Sequence, residues 1–285
     1  MLSGGDPPRF RPGFVEAGGV RLAAFEAGSR DPGAPAVVLL HGLGHWSEGA
    51  WGRLIPRLDP ALRYVALDLP GFGASEKPAA RYDRAFFRRV VDAALDALGV
   101  ARVALVGHSL GGFLAADYAG RHPERVTHLS LIAPGGFVRS LRFAAFGIAG
   151  RLAPIAFALA PSRRLVLAAL RRSVVDPRAL DEATVERGLA LAAQRPVRRA
   201  FAGVYADALR TFARQRATRH ELARYHGPVL CAWGARDRFI PARAMSAVVS
   251  VYPHARTLLL PASAHLPMLE EPESLAAVLR AFLLS

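Results

Sequence analysis

Short runs of apolar residues alternate with longer stretches in which apolar positions recur every three to four residues. That alternation predicts a mostly parallel sheet covered by helices. Val37–Leu40 is a continuous aliphatic run that ends in a glycine-rich turn, as expected of a strand buried on both faces. Similar runs occupy Tyr64–Leu67, Val103–Val106, Val126–Ile132, Val229–Trp233 and Thr257–Leu260. Helical spacing is predicted over Arg84–Leu98, Leu110–Arg121, Ala242–Val251 and Ser274–Leu283. Pro272 falls near the start of the last of these, where a missing N–H costs little.

Between Val138 and Arg224 the alternation stops. This stretch is rich in Ala, Leu and Arg, shows no clear strand, and is expected to form several helices. The predicted organisation is therefore a core of residues 1–137 and 225–285, with 138–224 inserted as a helical lid over the strand ends. Composition sharpens that division. The 285 residues carry a formal charge of +14, with Lys77 as the only lysine. Residues 138–224 hold 17 arginines against 6 acids, so most of the excess lies in the insertion.

A composition 52% hydrophobic and 21% charged supplies a large core and excludes disorder, collagen and coiled coil as descriptions of the chain. One cysteine, Cys231, excludes an internal disulfide and any cysteine-based zinc finger. The opening MLSGGDPPRF lacks the apolar segment of a signal peptide, and no stretch of 18 apolar residues occurs. The expectation is a soluble, cytoplasmic protein.

The sharpest chemical signal is Gly107-His108-Ser109-Leu110-Gly111, a G-x-S-x-G between a predicted strand and a predicted helix. A serine on so tight a turn is strained, and glycines two before and two after it relieve the crowding. A serine also needs a base, and the base an orienting acid. Asp237 follows the strand ending at Trp233, 128 residues beyond the serine, and His265 follows the strand ending at Leu260, a further 28 residues on. Both fall in loops after strand C-termini, where ligands bind in open α/β sheets. His254 is the rival base, but it precedes its strand and is expected at the opposite edge. The third requirement is two backbone N–H groups for a developing oxyanion. Leu110 offers one, and Leu43, in the loop His41-Gly42-Leu43-Gly44, offers the other.

HGLG at 41–44, DLPGFGASEKP at 68–78, GHSLGG at 107–112, WGARD at 233–237 and SAHLPMLEEPE at 263–273 together resemble the α/β-hydrolase superfamily, in its esterase/lipase branch with a helical cap. The resemblance implies an eight-stranded, mostly parallel sheet and a Ser109–Asp237–His265 triad. It also assigns the Leu43 and Leu110 amides to an oxyanion hole and residues 138–224 to the cap. Serine at position 109 argues against the relatives whose nucleophile is aspartate, which dehalogenate or open epoxides.

The expected activity is hydrolysis of carboxylic esters of hydrophobic small molecules through an acyl-enzyme, with no cofactor and no metal. The same triad serves hydrolysis of a carbon–carbon bond, or acyl transfer. Phe143, Phe146 and Phe157 are the cap candidates for lining the substrate pocket. His41 and His45 sit four apart in a glycine-rich loop without an acidic partner, which disfavours a metal site. Glu270 and Glu271 are expected as solvated carboxylates facing the N-terminus of the last helix.

A non-enzymatic alternative is a basic module for anionic lipid or nucleic acid. No nucleic-acid motif is present, and none is expected to bind. The stretch from Phe143 to Leu170, with Arg151, Arg163, Arg164, Arg171 and Arg172, is a candidate for peripheral contact with an anionic membrane. Packing of its apolar face on the core is the plainer expectation.

Overall fold

A computed structural model describes residues 9–137 and 161–285. The six strands expected from apolar runs all form: β3 (Ala36–Leu40), β4 (Arg63–Leu67), β5 (Val103–His108), β6 (Val126–Ile132), β7 (Val229–Gly234) and β8 (Arg256–Leu260). Two more precede them, β1 (Arg11–Ala17) and β2 (Val20–Gly28). The eight lie in the order β1-β2-β4-β3-β5-β6-β7-β8. β1 pairs antiparallel with β2, and β2 antiparallel with β4. From β4 to β8 every pairing is parallel. The α/β-hydrolase architecture expected from the motifs is thus the one the chain adopts.

The apolar runs escape the alternating pattern because the central strands are buried on both faces. Successive side chains of a strand point to opposite sides. Val38, Leu40, Val65, Leu67, Leu105 and Leu131 join one core, while Val37, Leu39, Tyr64, Ala66, Ala104 and Val106 join the other. On the first side lie helices α2 (Arg84–Ala97) and α3 (Leu110–Arg121), contributing Val90, Ala94, Leu114 and Tyr118. The second side is covered by the short helix α1 (Ser47–Trp51) and by the C-terminal helix, which contributes Leu275, Leu279 and Phe282. Each fully buried leucine or valine adds about 1.5–3 kcal/mol to such a core. Asp83 caps α2, its carboxylate accepting the Phe86 N–H at 2.9 Å.

Between β6 and β7 the described residues form α4 (Arg163–Ser173), α5 (Glu182–Ala193), α6 (Arg195–Ala213) and α7 (Gln215–Leu222), with no strand among them. α6 is seated on the rest of the chain. Val197, Ala200 and Val204 are buried with the first core, and the Phe201 ring meets Phe72 edge-on at 5.6 Å.

Two helices depart from the sequence expectation by more than one residue. The stretch from Ala242 is a 3-10 turn (Ala242–Ala244) followed by a five-residue helix, α8 (Met245–Val249). The last helix begins at Pro272 rather than Ser274, after a further short helix, α9 (Pro267–Glu270), and runs to Leu283 as α10. Proline is tolerated in the first turn, so the helix starts on it.

Candidate active site

Because β3 and β5–β8 run parallel, the loops after them share one edge of the sheet, and Leu43, Ser109, Asp237 and His265 lie on those loops, with Leu110 opening the helix that follows Ser109. Ser109 links β5 to α3 with φ 52° and ψ −111°, a left-handed conformation that costs a serine free energy and persists only where the surroundings enforce it. They do so by close packing. A Cβ on Gly107 would run into the Gly111 carbonyl, and one on Gly111 into the Leu40 carbonyl. The turn is therefore clamped between its own helix and the end of β3, and only glycine fits at either flank.

Ser109 Oγ lies 3.1 Å from His265 Nε2, and His265 Nδ1 lies 2.7 Å from Asp237 Oδ2. Asp237 is buried, and its Oδ1 accepts the N–H groups of Phe239 and Ile240 at 2.8 and 2.9 Å. With both carboxylate oxygens occupied, the side chain has one orientation. Nδ1–H of His265 then donates to the carboxylate, and Nε2 presents its lone pair to the serine hydroxyl. A serine so paired can lose its proton as it attacks an electrophile. His254 lies elsewhere: its Nε2 bonds the Gly227 carbonyl, ahead of β7 and at the opposite edge.

The loop after β3 approaches the same serine, for a Cβ on Gly42 would stand 3.2 Å from Ser109 Cβ. The Leu43 and Leu110 amides have no hydrogen-bond acceptor among the described residues, and both residues line the cavity that opens on Ser109. That cavity, about 120 Å³, is walled by Leu43, Leu110, Phe113, Val204, Phe239 and Ile240. Among the described residues, Arg84 and Asp207 are the charged ones on its wall. Phe143, Phe146 and Phe157 lie outside the described residues.

Four side chains to which the sequence assigned no such role hold these parts in place. Asp68 is fully buried, its two oxygens accepting the N–H groups of Ser47 at 2.6 Å and Ala74 at 2.7 Å. His41 bonds the Gly42 carbonyl through Nδ1 and accepts the Leu69 N–H on Nε2 at 2.9 Å, so neither nitrogen is available to a metal. Burial lowers its pKa. Glu270 and Glu271 are not the solvated pair expected. Glu270 is half-buried and accepts N–H groups from Ala264 and Val175, while Glu271 takes the Ala262 N–H and the Ser263 hydroxyl. Burial raises the Glu270 pKa. Together they tie down the loop that carries His265, whose own N–H donates to the Ser173 carbonyl at 2.9 Å. Burial also pushes the Cys231 thiol up to about 12, leaving it inert.

Of the arginines expected near a membrane, Arg163 pairs with Glu186 at 2.8 Å and Arg172 donates to the Arg238 carbonyl, while Arg151 lies outside the described residues. Among the described residues no helix is long and apolar enough to cross a membrane.

Comparison with known proteins bears on the fold and the family. A dihydrolipoyllysine-residue acetyltransferase component of an acetoin cleaving system from Pseudomonas putida is 32% identical over 272 residues, covering 95% of this chain and 69% of that protein. A 2-hydroxymuconate semialdehyde hydrolase from a Pseudomonas species is 36% identical over 127 residues, 43% of either chain. Among solved structures, a bacterial membrane phospholipase A superposes with a TM-score of 0.76 at 28% identity, covering 96% of this chain and 86% of the other. The model of the alpha/beta hydrolase fold matches residues 35–272, and the chain belongs to that family of hydrolases.

Proposed function

We propose that this protein is a serine hydrolase that cleaves carboxylic esters of hydrophobic small molecules. The observation that carries the reading is the continuous hydrogen-bonded line Ser109–His265–Asp237 at the mouth of an apolar cavity. The ester carbonyl lies against Ser109 with its oxygen toward the Leu43 and Leu110 amides. Oγ attacks the carbonyl carbon while its proton passes to His265 Nε2. The oxyanion is held by the two N–H groups, and the imidazolium by Asp237. Collapse breaks the C–O bond, and His265 gives its proton to the departing alcohol. Water, deprotonated by the same histidine, then attacks the acyl-enzyme, and the acid leaves as Oγ regains its proton. Residues 138–224 serve as a cap over the cavity, α6 supplying Val204 to its wall, and act with the core of 1–137 and 225–285.

A second reading has one observation in its favour, the similarity to the semialdehyde hydrolase. In it the same three residues assist cleavage of a carbon–carbon bond of a diketone. The two separate on a panel of chromogenic esters of graded acyl length run beside a dienone diketone. Ester hydrolysis predicts that medium acyl chains outpace acetate, each methylene contributing up to about 0.8 kcal/mol of burial. A rate confined to the diketone would replace the ester reading with the second one.

Ser109→Ala is expected to lower ester hydrolysis by several orders of magnitude with the fold intact by circular dichroism. Asp237→Asn is expected to cost a factor approaching 10⁴, because the amide favours the wrong imidazole tautomer. A folded Ser109→Ala protein keeping a tenth of the wild-type rate removes Ser109 from the mechanism.

The pH profile has a defined sign. The base acts neutral, so kcat/KM rises with pH along the acid limb. His45 is held down to about 3 by burial and by the neighbouring His41 and His265, and burial keeps His108 well below the ordinary histidine value. Neither changes charge where an ordinary histidine does, so the limb is expected to fit one ionisation. A slope demanding two protons in a stopped assay of kcat/KM would contradict this.

A further inference from the structure

His108, the residue just before Ser109, is the last residue of β5 and is 1% exposed. Its Nε2 lies 2.8 Å from the backbone carbonyl oxygen of His265. We propose that His108 is a positioning residue for the base: its Nε2–H anchors the His265 main chain. This rests on the reading of His265 as the base.

Three features carry it. A carbonyl accepts only, so the 2.8 Å contact requires the proton on His108 Nε2 and leaves Nδ1 bare. Nδ1 is buried and has no partner among the described residues. A bond that strands a buried nitrogen is retained at a cost to the fold, which points to a use outside folding. Next, the ring touches both halves of the machinery. Its centroid is 4.8 Å from that of His265, and a Cβ on Gly42 would come within 2.7 Å of His108 Nδ1. The oxyanion loop and the base are thus spaced by one imidazole. Last, that imidazole stays uncharged. The titratable groups facing it are His265 from the loop after β8 and His41 and His45 from the loop after β3, and all of them disfavour its protonation, as burial does most of all. A charged ring here would repel the imidazolium that forms on His265 during the reaction. A neutral donor holds the base without opposing its charge.

Packing and anchoring separate by substitution. His108→Gln sets an amide N–H close to where Nε2–H stands but loses the ring, whereas His108→Phe keeps the ring and loses the donor. In hydrolysis of 4-nitrophenyl butyrate, His108→Phe is expected to lower kcat about ten- to a hundredfold with KM within about twofold, since small displacements of a reacting group have effects of that size. His108→Gln is expected to stay within about threefold of wild type. A wild-type kcat for His108→Phe, or a His108→Gln protein as slow as His108→Phe, overturns the proposal. Should His108→Phe fail to fold, ¹⁵N NMR of the wild-type imidazoles decides. The expected result is a ring that stays protonated on Nε2 and bare on Nδ1 where an ordinary histidine gains its second proton, near pH 6.5; a proton on Nδ1 overturns it. Ser109→Ala in the same assay keeps the two claims apart. If Ser109→Ala retains activity, the hydrolase reading fails. If it is inactive while His108→Phe is not impaired, only the positioning role fails.

Discussion

The turn at Ser109 is the constraint on which the other parts depend. Its left-handed backbone is held because Gly107 and Gly111 let α3 press against the carbonyl ends of β3 and β5 without side chains between them. One consequence is geometric: Oγ stands above the sheet edge, where loops from β3, β7 and β8 can reach it. Another is electrostatic. The Leu110 amide, at the start of α3, has no acceptor among the described residues, and Leu110 lines the cavity. An alanine at either glycine would force the helix off the strand, and Ser109, His265 and the Leu110 amide would lose their common register.

Given that fixed point, the surrounding loops bring acceptors and donors to it through buried side chains. Asp68 and His41 satisfy backbone N–H groups of the loops after β3 and β4, and Glu270 and Glu271 do the same for the loop after β8. Loop backbone buried this deeply needs such partners, since an unpaired N–H in the interior costs free energy comparable to a lost hydrogen bond. Short polar side chains from neighbouring loops take the role that ladder bonds play in the sheet. The rigidity of Asp237, with one oxygen on two backbone amides and the other on His265, follows the same rule.

Much of this was legible in the chain itself. Central strands such as Val103–His108 declare themselves because burial on both faces makes them apolar without interruption. The β1–β2 hairpin does not. β1 is an edge strand, RPGFVEA, with only Val15 and Ala17 buried, and β2 carries Arg21 and Glu26 amid small alanines. Ser109, Asp237 and His265 were readable because each needs a particular type of residue after a strand. Glu270 and Glu271 were misjudged, since two adjacent acids ahead of a helix have the same spelling whether they face solvent or hold a loop. The bond from His108 to the His265 carbonyl joins positions 157 apart and has no local signature at all.

The most direct test is covalent. An aryl fluorophosphonate reacts with a serine only where a base withdraws its proton and an oxyanion site receives the phosphoryl oxygen, so it reports the assembled site without assuming a substrate. Labelled protein, digested and mapped by mass spectrometry, is predicted to carry one adduct, on Ser109, formed more slowly as pH falls through the acid limb and abolished by His265→Ala. Labelling of another serine, or labelling of Ser109 that survives the loss of His265, would contradict the account.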